Sequence, residues 1–196
     1  MKIRSLSDSL DMLYFYNIML PIAMERMLRS ERGGEAMTLD IRISGRIGRK
    51  VEEVFDAVVN PQKLSSYFTT VGGASAPLVA GTTVIWWEKA PVEVSEIEPG
   101  RRIVFHWDGG ADEEGARYRT KVEMTFEALD DGGTLVTIAE SGWREDTAGR
   151  RGTYLNCEGW TQMLCCMKAF VEYGINLREG FFLSEMRGVP AEAPDR

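Results

Sequence analysis

Residues 38–47, TLDIRISGRI, alternate: Leu39, Ile41 and Ile43 fall on one side, and Asp40, Arg42 and Ser44 on the other. That period of two predicts a strand with one buried face. The period changes in 50–60, KVEEVFDAVVN, where Val51, Val54, Phe55 and Val58 recur at helical spacing. Pro61 closes that helix and opens a second short one, PQKLSSYF, with Leu64, Tyr67 and Phe68 pointing one way. Gly72, Gly73 and Pro77 mark an irregular connection.

Alternation then returns in a run of segments bounded by turn residues. Residues 81–87 place Val84 and Trp86 together, and 92–98 end at Pro99-Gly100. Residues 101–108 set Ile103, Phe105 and Trp107 against Arg102, Val104 and His106. Beyond Gly109-Gly110 and an acidic loop, 117–129 set Val122, Met124 and Phe126 against Lys121, Glu123, Thr125 and Glu127. The turn Asp130-Asp131-Gly132-Gly133 is a strong hairpin signal, and 134–141 follow with Val136, Ile138 and Glu140 on one face.

The last pattern is the longest. In 153–178, Trp160, Leu164, Met167, Val171 and Ile175 form a helical stripe flanked by Met163, Phe170 and Leu177. Glu158, Thr161, Cys165, Lys168 and Glu172 make the opposite, solvated face. Such a helix spans about 39 Å at ~1.5 Å per residue and needs a correspondingly large apolar surface. The strands supply it. The expected fold is therefore α+β, a helix-grip: a curved antiparallel sheet of about six strands wrapped around a long C-terminal helix. Two short helices follow the first strand.

Composition narrows the function classes. A hydrophobic fraction of 44% and a charged fraction of 27% describe an ordinary globular chain. A net charge of −7 disfavours a nucleic-acid partner, and the pairs Arg101-Arg102 and Arg150-Arg151 are too short and too separated to reverse that. Cys157, Cys165 and Cys166 all lie in the long helix, where neighbours point about 100° apart, so they form neither a metal site nor an easy disulfide. With His106 the only histidine, no zinc constellation exists, and no cofactor is expected. Reduced thiols fit a cytoplasmic protein.

The domain is expected over 37–180, with a tail over 181–196. Residues 1–36 read differently. Their apolar run 12–24, MLYFYNIMLPIAM, is shorter than the ~20 residues of a membrane span. Five basic and five acidic residues make a membrane-surface anchor unattractive. An N-terminal helix packed on a neighbour is one reading of this extension. The favoured one is that translation begins at Met37, making 1–36 an artefact of an upstream start.

The ordered set of elements resembles the START/Bet v 1-like (SRPBCC) superfamily, and within it the Hsp90 ATPase activator homologue-like branch. The residues that carry the resemblance are VEEVFDAVVNPQKLSSYF (51–68), EIEPGRRIVFHW (96–107), GGTLVTIAESGW (132–143) and EGWTQMLCCMKAFVEYG (158–174). It implies an internal cavity between sheet and helix that holds an apolar ligand. The implied lining includes Trp86, Phe105, Trp107, Met124, Phe126, Ile138 and Trp160. Apart from the resemblance, a ligand bound there is expected to meet Leu164 and Met167 on the helix, with Glu140 and Tyr118 setting its orientation.

Glu140 is the sharpest candidate, because strand parity points it inward and a buried carboxylate needs hydrogen bonds. The plainer alternative is a strand-end residue bonding the helix start or Tyr154. His106 falls on the outer face near Asp108, with no nucleophile to complete a triad. The large aromatics either line a cavity or fill it, and Trp160 divides the two cases. Three functions follow as expectations: a non-enzymatic binder of a small apolar or aromatic molecule, a cyclase- or hydrolase-type enzyme using an inward carboxylate, or a chaperone-type interaction module. A homodimer is a further expectation.

Overall fold

A computed structural model describes residues 38–181; the apolar run 12–24, the start at Met37 and the tail beyond 181 lie outside them. The elements are β1 (Ile41–Ile47), α1 (Val51–Val59), α2 (Pro61–Tyr67), β2 (Thr83–Trp86), β3 (Ala90–Glu98), β4 (Arg102–Ala111), β5 (Arg117–Ala128), β6 (Thr134–Ser141) and α3 (Thr147–Tyr173). The six strands form one antiparallel sheet in the order β1-β6-β5-β4-β3-β2. The helix-grip read from the sequence is the fold observed.

Short turns make β2 to β6 a meander, and β1 returns to pair with β6. The register aligns Phe105, Val122, Glu140 and Ile41 as one row across four strands. The adjoining row holds Trp107 opposite Thr120. Irregularities at Val94/Glu96 and at Asp108/Gly110 bend β3 and β4. The second lets β4 run through the glycine pair to Ala111, where the sequence suggested an end at Asp108.

Local chemistry sets the helix limits. Asn60 Oδ1 accepts from the Gln62 and Lys63 amides and caps α2, with Pro61 in its first turn. At α3, Asp146 Oδ1 accepts from the Gly149 amide at 2.6 Å. That start is earlier than residue 153, because glycines 149 and 152 are poor helix formers that tertiary contact requires. A Cβ at Gly149 would lie 2.0 Å from the Arg144 carbonyl oxygen, and one at Gly152 would lie 2.5 Å from the Trp143 ring. The helix stops at Gly174, whose φ of 69° is the left-handed cap. Ile175 and Leu177 therefore leave the predicted stripe and are 51% and 45% exposed.

The stripe that remains buries Trp160, Met163, Cys166 and Met167. Cys165 is exposed, as its face predicts. Glu172 is not solvated as its position suggested: its side chain is 7% exposed. Its Oε1 accepts from the Gly48 amide at 2.5 Å and from Lys168 Nζ, tying the β1–α1 turn to the last turn of α3. These contacts, the Lys168 bond first and the Gly48 amide second, hold its carboxyl down at about 2.

Candidate functional site

Where β4, β5 and β6 meet the first half of α3, five side chains converge. Glu140 comes from the inner face of β6 and is fully buried. Its Oε1 accepts from Trp107 Nε1 at 2.8 Å and from Thr120 Oγ1 at 2.5 Å. Its Oε2 accepts from Trp160 Nε1 at 2.7 Å. Asn156 Nδ2 lies 3.1 Å from both oxygens. Asn156 and Trp160 stand one helical turn apart on the face of α3 turned to the sheet, so helix phase aims both at one point.

Every one of these donors is neutral. The carboxylate gathers two indoles, a hydroxyl and an amide, which leaves little free lone-pair capacity. A carboxylate solvated in this way by fixed dipoles can sit in an apolar interior. Glu140 thereby fixes the planes of two tryptophan rings. Its partners are not Tyr154, which is 74% exposed.

Around this anchor runs a continuous aromatic cluster. The Trp160 ring lies 5.0 Å from that of Trp107 and 5.9 Å from Phe68, both at shallow interplanar angles. Trp86 meets Phe68, Phe105, Trp87 and Trp107 edge to face. Trp160 is thus buried and packed by rings on more than one side.

The cluster reaches the surface at Trp107, which is partly buried. There a cleft of about 430 Å³ is lined by Lys89, Ala90, Pro91, Trp107, Asp108 and Asn156. A more polar groove shares Lys89, Pro91 and Asp108 with it and continues to Arg117, Tyr118 and Arg119. Ion pairs from Arg117 to Asp108 and from Arg119 to Glu93 edge that groove. Burial raises the Tyr118 phenol above its ordinary range, and the Arg144 guanidinium lies over its ring at 5.5 Å.

The β2–β3 turn beside the cleft is strained. Trp87 and Glu88 have φ of 50° and 64°, and the Lys89 amide donates to the Trp86 carbonyl. This is the pattern of a type I′ turn, without the Asn-Gly that such a turn prefers. Contacts hold it: Trp87 packs on Phe68 at 4.9 Å, and its amide donates to the Gly73 carbonyl.

Of the residues expected to form a binding site, the structure brings Trp86, Phe105, Trp107, Glu140 and Trp160 together. Met124, Ile138 and Met167 are fully buried members of the general core. Phe126 meets Phe55 of α1 edge-on. Leu164 lines a different cleft, with Ile43 and Gly45 of β1. Tyr118 packs on Trp143 and borders the outer groove. Two members of the constellation, Thr120 and Asn156, escaped the sequence reading. Thr120 shares parity with Val122 and Met124, and Asn156 precedes Trp160 by four, so both signals were present.

Among the described residues, no helix is long and apolar enough to cross a membrane, and no group of acidic, histidine or cysteine side chains is arranged to hold a metal ion.

A family model described as Activator of Hsp90 ATPase homolog 1-like protein matches residues 49–172. No curated protein matches the chain. Among solved structures, the chain is similar to DynU16, a putative protein in the dynemicin biosynthetic locus, with a TM-score of 0.58 and 21% identity, covering 69% of this chain and 48% of that one. It is similar to the Aha1 dimer from Colwellia psychrerythraea, with a TM-score of 0.57 and 19% identity, covering 69% and 97%. It is also similar to PFC0360w, an Hsp90 activator from Plasmodium falciparum, with a TM-score of 0.57 and 18% identity, covering 67% and 95%. At these identities the likenesses establish the fold alone.

Proposed function

The chain belongs to the Activator of Hsp90 ATPase homolog 1-like family, and from that premise we propose that it is a non-enzymatic binder of a small apolar or aromatic molecule. The ligand enters at the cleft beside Trp107 and Asn156 and lies against the aromatic cluster between sheet and α3. One observation carries this reading: a buried carboxylate holds two tryptophan rings in fixed planes directly behind an open cleft. A protein that needed only a filled core would do better with aliphatic side chains there than with a desolvated anion. Rings fixed in advance lower the ordering cost of binding. Glu140 acts as the anchor of that wall, and ligand contact falls to Trp107, Asn156 and the rings behind them.

The enzyme reading is less favoured. Both oxygens of Glu140 already accept hydrogen bonds and none of its surface reaches solvent, so it is poorly placed to take a substrate proton.

Titration of the purified protein with naphthalene derivatives, followed by intrinsic tryptophan fluorescence and native mass spectrometry, tests the binding reading. Saturable quenching with a one-to-one mass adduct is expected. No response from the tryptophans and no adduct would overturn it.

The interaction-module reading draws on a separate observation. Tyr154 and Leu155 are consecutive exposed apolar residues of α3, at 74% and 57% exposure. If that patch engages a chaperone of the Hsp90 class, replacing both with alanine abolishes co-sedimentation with such a chaperone and leaves small-molecule binding intact.

A further inference from the structure

Among the polar groups that face the aromatic cluster, one donor is left over. The Trp86 indole Nε1–H is buried and has no acceptor within hydrogen-bonding reach among the described residues. Trp107 and Trp160, its neighbours in the cluster, both donate to Glu140. An unsatisfied buried N–H is costly, so each such group calls for an explanation. Trp143 Nε1 is also unpaired, but Trp143 packs under Gly152 and Tyr118, away from the cluster.

Position singles Trp86 out. It pairs across the β2–β3 ladder with Ala90, which lines the cleft. Its ring lies 6.2 Å from that of Trp107, which lines the same cleft. Trp86 therefore stands one ring behind the opening. The strained turn at Trp87 and Glu88 lies between its strand and Lys89 on the rim.

Resting on the ligand-binding reading above, we infer that Trp86 Nε1 is the hydrogen-bond donor for the ligand, and that the ligand class is an aromatic molecule bearing an acceptor oxygen, such as an aryl ketone or quinone. A plain hydrocarbon would leave the donor unpaired. A protonated amine, which has donors and no lone pair, would gain nothing from it. Because Glu140 is already saturated, the Trp86 N–H is the donor behind the opening that remains to discriminate between ligands, beside the Asn156 amide on the cleft wall.

The test uses 1-tetralone and tetralin, which differ by one carbonyl, on the full chain with its tryptophans labelled with ¹⁵N at the indole nitrogen. The Trp86 indole N–H resonance, assigned with Trp86→Phe, should move downfield on saturation with 1-tetralone and stay in place with tetralin. By fluorescence titration 1-tetralone should bind about fivefold more tightly than tetralin, a margin of one neutral hydrogen bond. Trp86→Phe should bring the two affinities to within twofold. Equal binding of both probes, with an unmoved Trp86 resonance, overturns the inference and leaves the pocket reading standing; that result means the N–H is met by a bound water only. Failure of both probes to bind overturns the pocket reading and this inference with it. The resonance measurement uses the unsubstituted protein, so it decides the matter even if Trp86→Phe folds poorly.

Discussion

Replacing Glu140 with glutamine keeps shape and volume and changes one oxygen into an NH₂ group. The carboxylate accepts from Trp107, Thr120 and Asn156 at one oxygen and from Trp160 and Asn156 at the other. Whichever oxygen is exchanged, the new NH₂ faces at least one indole N–H that cannot turn to accept. If it takes the Oε2 side, Asn156 can flip its amide but Trp160 cannot. One buried donor is then orphaned at about 1–3 kcal/mol, and the surviving bonds fall from charged to neutral strength at about 1 kcal/mol or less each. The sum predicts a loss of about 3–5 kcal/mol, a large share of the ~5–15 kcal/mol that a domain commonly holds. Urea denaturation, followed by both far-ultraviolet circular dichroism and tryptophan fluorescence, reads the change as a lower midpoint at unchanged slope. Trp160→Phe removes the donor that glutamine orphans, so the double variant should be at least about 1 kcal/mol more stable than additivity predicts. Glu140→Gln within about 0.5 kcal/mol of the parent, or strict additivity with Trp160→Phe, would refute the role of Glu140 as anchor.

The same packing and hydrogen bonds predict further outcomes. Glu172 has its carboxyl held down from 4.5 to about 2, so its stabilisation is complete above 4.5 and is lost as pH falls towards 2. Glu172→Gln should cost about 1.5 kcal/mol at neutral pH and reduce the fall in stability across that acid window; an unaltered pH–stability curve would exclude the role. Glu88→Gly removes a non-glycine residue from the left-handed region and should stabilise the protein by about 0.5–1 kcal/mol, net of glycine's entropy cost. A lower unfolding midpoint would show that the Glu88 side chain matters more than the strain. With Cys165 exposed, Cys157 partly buried and the Cys166 thiol pushed up by burial, an aromatic disulfide reagent should show one fast-reacting thiol. Cys165→Ser should remove that phase, and its persistence would place the accessible thiol elsewhere.

What is legible in the sequence, and what is not, divides by the range of the forces involved. Alternation in 38–47 and 134–141, the Asp130–Gly133 turn and the helical stripe from Trp160 to Met167 are local consequences of side-chain period and turn chemistry. They sufficed for the sheet, the order of elements and the inward direction of Glu140. The start of α3 at Thr147 was hidden because Gly149 and Gly152 are there to let Arg144 and Trp143 approach closely, a demand no local propensity expresses. The burial of Glu172 depends on where the β1–α1 turn presents the Gly48 amide, more than a hundred positions away along the chain. The convergence of Trp107, Thr120, Asn156 and Trp160 on one carboxylate needed the strand register and the rotation of α3 about its axis. Both are set only when the whole apolar stripe is packed. Side-chain period and turn chemistry are enough for the order of the elements and for most of their faces, because each follows from neighbours within a few residues. Which polar groups meet in the interior, and that the Trp86 N–H finds no acceptor among the described residues, follows from the packed fold, because hydrogen bonds are short and directional, and a shift of about one ångström makes or breaks them.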